Sequence, residues 1–124
     1  MLNDGIAQAT LPVADIQRAK GFWAKVGFSP ANELPGGVEY VMGGGSSFTI
    51  YPTSNPNRGG HTQLHFRVKD IEAEVADLKA KGVVFEEYDS PGLKTEKSIA
   101  TTGSGKGAWF KDEDGNTIGI FKPS

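Results

Sequence analysis

The chain has 124 residues, 37% of them hydrophobic and 23% charged, with a formal net charge of −2 at pH 7. That length carries one domain with a real core but not two independent ones, and the composition is that of a globular protein in water. No apolar run approaches the roughly 20 residues of a membrane helix, Lys and Arg are scattered rather than massed against nucleic acid or an anionic membrane, and the lack of cysteine excludes disulfide and thiolate chemistry.

Met1 to Gly5 holds neither a basic nor an apolar stretch, so no secretory signal is expected and the cytoplasm is the default compartment. From Gln8 the phrase QATLPVADI alternates as a strand does, with Leu11 and Val13 on one face and Gln8 and Thr10 on the other. Asp15 is a good helix cap, because a short carboxylate accepts from the unpaired N–H groups of a first turn. Ile16, Ala19, Phe22 or Trp23, and Val26 then recur at helical spacing, with Gly27 placed as the stop. Val38 to Met42 and Ser47 to Tyr51 read as strands around a Gly43-Gly44-Gly45 turn, and the run PTSNPNRGG from Pro52 has linker character.

The opening phrase then returns. Gln63 to Ile71 reads QLHFRVKDI and aligns, at one constant offset, Gln63 with Gln8, Val68 with Val13, Asp70 with Asp15 and Ile71 with Ile16. Asp70 should cap a second helix that buries Ile71, Val75 and Leu78 and stops at Gly82. Val83 to Tyr88, Ala108 to Lys111 and Thr117 to Lys122 read as strands, the last two joined through Asp114-Gly115-Asn116. Phe48-Thr49-Ile50-Tyr51 aligns with Ile118-Gly119-Ile120-Phe121 at a larger offset, so the second module has extra residues. They are assigned to Ser90–Gly107, rich in Gly, Ser, Thr and Lys, as a long loop with a short strand at Ser98 to Thr101. The expected organisation is an α+β domain over 1–124, with one module over about 5–52, a linker over about 53–60 and a second module over about 61–124.

The duplicated unit, the Val-x-Asp-Ile phrase entering an Arg-Ala-Lys-x-Phe-Trp helix, and the late Asp-x-Asp-Gly-Asn turn together resemble the vicinal oxygen chelate superfamily. That group includes glyoxalase I, the bleomycin-resistance proteins, fosfomycin-resistance enzymes and extradiol dioxygenases. The resemblance spans nearly the whole chain. It implies two βαβββ modules forming an open mixed β-barrel around a cavity, commonly within a homodimer. It also implies, for the metalloenzymes, four side chains from the first and last strands of each module that bind a divalent ion, a Lewis acid for substrate oxygens. Carried over singly, the first-strand ligands fall on Gln8 and Gln63 and the second module's acid on Gly119. The first module's acid falls on Thr49, or on Phe48 if the register slips by one. Two neutral amides do not anchor a divalent ion by themselves, so the metal site reads as absent and no cofactor is expected. A metal held elsewhere would have only His61 and His65 as imidazoles.

If Gln63 points into such a cavity, His65 and Arg67 on the same strand face do too, with Thr10, Tyr51 and Phe121 by the same parity. The candidate ligand-binding set is therefore Gln8, Thr10, Thr49, Tyr51, Gln63, His65, Arg67 and Phe121: aromatic walls with Gln, His and Arg as orienting groups. Plain structural roles for His65 and Arg67 stand beside that reading. Trp109 and Phe110 take opposite faces, and parity does not decide which turns inward; Phe22 and Trp23 read as core. Gly103-Ser104-Gly105-Lys106-Gly107 lacks the Gly-Lys-Ser/Thr ending and following helix of a P-loop, and Asp112, Glu113 and Asp114 read as turn chemistry. The expected function is metal-independent binding of a small molecule, sequestering an aromatic or antibiotic-like ligand, in a homodimer without nucleic-acid or membrane partners. One rival is a lyase, isomerase or dioxygenase-like enzyme using His65 as acid or base, or an unrecognised metal site; its catalytic residues are not assignable. Another is a dimerising or regulatory module whose cavity is filled by its own side chains.

Overall fold

Each of the two Asp-Ile phrases ends a strand and begins a helix. The computed structural model describes residues 1–4, 8–54 and 61–124, and the chain divides into two units, Met1–Asn57 and Arg58–Ser124. In the first unit, β1 (Ala9–Val13) leads into α1 (Ile16–Val26) through Asp15, whose carboxylate accepts from the N–H groups of Gln17 and Arg18 at 3.0 and 3.2 Å. Gly27 ends the helix at φ +116°, a left-handed conformation that a side chain disfavours, and its N–H reaches the carbonyls of Trp23 and Ala24. β2 (Asn32–Leu34), β3 (Gly37–Val41) and β4 (Ser47–Pro52) complete a sheet in the order β1-β4-β3-β2, with β1 and β4 parallel and the other pairs antiparallel. Alternate residues Leu11, Val13, Val38, Tyr40, Phe48 and Ile50 are buried with Ala19, Phe22, Trp23 and Val26 of the helix. Trp23 is the hub, its ring 4.7 Å from Phe48 and 5.4 Å from Phe22.

The second unit repeats this plan. β5 (Thr62–Arg67) leads into α2 (Ile71–Ala80), capped by Asp70 accepting from the Ala73 N–H at 3.1 Å. There follow β6 (Asp89–Ser90), β7 (Leu93–Glu96), β8 (Ile99–Thr102), β9 (Gly105–Lys111) and β10 (Thr117–Pro123), in the sheet order β5-β10-β9-β8-β7-β6. First and last strands are again parallel neighbours. Ile71, Val75 and Leu78 of the helix are buried with Val83, Phe85, Ala108, Phe110, Ile118 and Ile120. The fold is thus α+β, with two βαβββ-like modules and mixed sheets.

Three segments differ from the sequence reading. β2 was not anticipated; it pairs with β3 across the exposed Pro35-Gly36 turn. Val83 to Tyr88 is not a strand: Phe85 alone bridges to Phe110, and pairing resumes only at β6. In Ser90 to Gly107 the short strand expected at Ser98 to Thr101 is present as β8, but the rest is not a long loop: β7 pairs with β8 as a hairpin and β9 begins at Gly105. That hairpin turns on Lys97 and Ser98, both at positive φ (+51° and +74°) although neither is the Asn or Gly such a turn favours. A distant carboxylate compensates. The Ser98 N–H (3.1 Å) and hydroxyl, and the Thr95 hydroxyl (2.8 Å), all donate to Glu87, and those bonds hold its acid below the ordinary carboxylate range.

Candidate functional site

The residues worth following lie on the sheet faces turned away from the two cores. In the second unit β9 and β10 place Trp109 directly opposite Gly119, and Gly107 lies two residues before Trp109 on the same face. A Cβ added to Gly107 would stand 2.9 Å from Cη2 of Trp109, and one added to Gly119 would stand 3.3 Å from its Nε1. The indole therefore lies down along the sheet, over two positions that have no side chain. Tyr88 meets it edge-on at 5.7 Å and 78°, while Phe110, its chain neighbour, is turned into the core against Phe85 at 5.6 Å. Parity left that choice open; the preference of the apolar ring for α2 and Phe85 decides it.

Thr62, His65 and Phe121 complete the walls of a cleft of about 230 Å³ over this indole. That is below the roughly 300 Å³ where drug-sized pockets begin, a volume comparable to one flat ring system rather than a whole drug-sized molecule. The ring of His65 lies 6.1 Å from that of Phe121. Among the described residues no hydrogen bond orients the imidazole, unlike the held base of an acid–base pair.

The remaining candidates separate. Arg67 pairs with Phe121 at the exposed end of β5 and does not line the cleft. Gln63 is the extra residue of a bulge: Thr62 pairs with Thr117 and Leu64 with Ile118, so Thr62 takes the cleft position that unbroken alternation gives to Gln63. The Gln63 side-chain oxygen is buried with no hydrogen-bond partner among the described residues. In the first unit Gln8, Thr10, Thr49 and Tyr51 occupy the non-core face. Thr10 pairs with Thr49 and Tyr51 with Pro12, while Phe48, the alternative to Thr49, is fully buried in the core.

Sequence reasoning passed over Glu39. It stands on β3 between Asn32 and Thr49 in register, on the same face as Thr10. One of its oxygens accepts from Gln8 Nε2 at 2.7 Å and the other from Asn32 Nδ2 at 2.6 Å. The alternation in Gly37-Val38-Glu39-Tyr40-Val41 was the available signal, with Glu39 between two core residues.

The model of the Glyoxalase/Bleomycin resistance protein/Dioxygenase superfamily matches residues 5–120. The chain belongs to that superfamily. A comparison with curated proteins finds no match. Among solved structures, the chain is similar to TnmS3, an antibiotic binding protein from Streptomyces sp. CB03234, at 28% identity and a TM-score of 0.72, over 97% of this chain and 96% of that one. It shares its fold with a bleomycin resistance determinant encoded on the transposon Tn5, at 19% identity and a TM-score of 0.71, over 97% and 98% of the two chains. A fosfomycin resistance protein, FosX, from Listeria monocytogenes shares the fold at 17% identity and a TM-score of 0.68, over 97% and 93%.

The superfamily's divalent metal does not fit the donors present. The positions that the resemblance implies for it are Gln8 and Thr49 in one unit and Gln63 and Gly119 in the other, none of them an imidazole or carboxylate. Glu39 is one strand away and already engaged by two amides. Among the described residues no group of three or more His, Asp or Glu could hold a metal ion. Among the described residues no helix is long and apolar enough to cross a membrane.

Proposed function

We propose that this member of the superfamily is a metal-independent binding protein that sequesters an aromatic, antibiotic-like small molecule against Trp109, and that it works as a homodimer. The observation that carries the reading is the indole laid flat over Gly107 and Gly119. A flat, partly exposed ring is a stacking surface, and an offset-stacked partner gains about 0.5–1.5 kcal/mol beyond the area it buries. Gly119 stands where the resemblance expects a metal-binding acid, so the residue that removes the ligand atom also admits the indole. The 28% identity to an antibiotic binding protein points the same way. For the dimer, support comes from exposed apolar side chains, Leu34 on the edge strand β2 together with Val41 and Val84.

A thermal-shift screen of aromatic antibiotics, bleomycin included, tests the binding. A genuine ligand at a hundred times its Kd stabilises the native state by about 2.7 kcal/mol. Binding should quench the fluorescence of Trp109 and weaken in Trp109→Ala. A hit bound as tightly by Trp109→Ala as by the parent would remove Trp109 from the site.

A further inference from the structure

The non-core face of the first unit's sheet has an unusual charge pattern. Across it runs one register row, Asn32, Glu39, Thr49 and Thr10, each residue directly opposite the next. The solvated face of an ordinary sheet mixes both signs of charge. On this face the strands supply one carboxylate and no lysine, arginine or histidine. Among the described residues Glu39 forms no ion pair, whereas its neighbour Glu33 pairs with Lys20 toward the helix.

The carboxylate is nonetheless held in place. An ionised carboxylate has about four acceptor sites, and two are filled, one on each oxygen, by Gln8 and Asn32. Gln8 is itself positioned, since its Nε2 also donates to the Ser47 hydroxyl. Both amides spend N–H groups on Glu39, so their own carbonyl oxygens are left as further acceptors. A half-buried acid, fixed by neutral donors and flanked by acceptors and hydroxyls, offers charge and geometry with no cation among the described residues paired to it.

We infer that Glu39 is a recognition site for a cationic group, an ammonium or guanidinium, on a small molecule. The donors of such a group meet the open sites of the carboxylate and the amide oxygens of Gln8 and Asn32, and the Thr10 and Thr49 hydroxyls extend the acceptor row. A charge-assisted bond to a positioned carboxylate is about twice as strong as a neutral one. An anionic or neutral group in the same place gains nothing comparable. The inference rests on the first unit alone and stands or falls independently of the aromatic cleft.

The test uses probes without a ring, so that Trp109 has no part in it. n-Butylammonium and n-butylguanidinium are titrated into the ¹⁵N-labelled full chain, with n-butanol as the neutral control and butyrate as the anionic one. The expected result is a saturable shift of the Thr10, Glu39 and Thr49 amide resonances with both cations, weakened by added salt and about tenfold weaker for butanol and in Glu39→Gln. Comparison of the cations with butanol on the parent chain needs no variant, so a folding defect in Glu39→Gln does not shelter the inference. It is overturned if the cations give no saturable shift at these amides, if butanol binds as well as butylammonium, or if a folded Glu39→Gln binds both cations as tightly as the parent.

Discussion

Adding a single methyl group at Gly119 separates the floor of the cleft from the stability of the sheet that supports it. The new Cβ would stand 3.2 Å from Cβ of His65, 3.3 Å from Nε1 of Trp109 and 3.4 Å from Cγ2 of Thr62. Carbon atoms at rest sit about 3.5–4.0 Å apart, so the neighbours must give by roughly 0.3–0.5 Å. Among them the partly exposed indole has the freest path, outward from the sheet. Overpacking of this kind costs about 1 kcal/mol where a side chain can yield. Gly119 has no positive φ, so Gly119→Ala also recovers about 0.4–1 kcal/mol from the unfolded chain. The melting temperature should therefore change by no more than roughly 3–6 °C. The indole, tilted off the sheet, should lose its stacking surface, and an aromatic ligand about twofold to twelvefold of its affinity, the range of 0.5–1.5 kcal/mol. Acrylamide quenching reads the tilt without any ligand: Trp23 is fully buried, so the accessible emission is that of Trp109, and its quenching should rise in Gly119→Ala. Gly105→Ala is the contrasting variant. There φ is +143° and the added atom would strike the Lys122 carbonyl oxygen and stand 2.9 Å from Cα of Pro123, so the loss should be at least about 3 kcal/mol. Unchanged quenching in a stably folded Gly119→Ala would refute the account of an indole resting on this glycine.

The β7–β8 turn makes two opposite forecasts: Lys97→Asn should raise stability by about 1 kcal/mol by suiting the left-handed conformation, while Ser98→Gly should lower it despite similar relief, because its hydroxyl bond to Glu87 is lost. Denaturant melts of both variants decide this. Glu87 has its folded acidity increased chiefly by the Ser98 hydrogen bond, so its contribution is present above the ordinary carboxylate pKa and disappears as the pH falls through the lower folded value. The stability gap between the parent and Glu87→Gln should therefore be full at neutral pH and close in acid; a gap independent of pH would contradict the clamp. Elemental analysis of the purified protein should find no stoichiometric transition metal, and near one zinc, nickel, manganese or iron per chain would overturn the donor argument. Light scattering at high micromolar concentration should give the mass of a dimer, against which a monomer would count.

Both helices, their Asp caps, the Gly27 stop and the buried faces of β1, β4 and β10 were legible in the amino-acid sequence, whereas the apolar face of β5 is only half-buried. Each is a local matter: a carboxylate reaches N–H groups two or three residues on, and a strand or helix sorts its apolar side chains within its own period. The repeat was legible for the same reason, as one local pattern written twice. What failed were features decided by residues far apart in the chain. Lys97 and Ser98 do not read as a hairpin turn, and they form one because Glu87 holds Ser98 and Thr95 from outside it. Gln8 and Gln63 occupy equivalent places in the repeated phrase, yet Gln8 grips Glu39 and Ser47 while Gln63 is displaced by a bulge against β10, which no sequence period registers. Trp109 and Phe110 were interchangeable until Phe85 and α2 took the phenyl ring and the two glycines received the indole. Alternation fixes which residues share a face, but the pairing of strands, settled by the whole sheet, determines what each face meets and therefore where a ligand finds a ring or a charge.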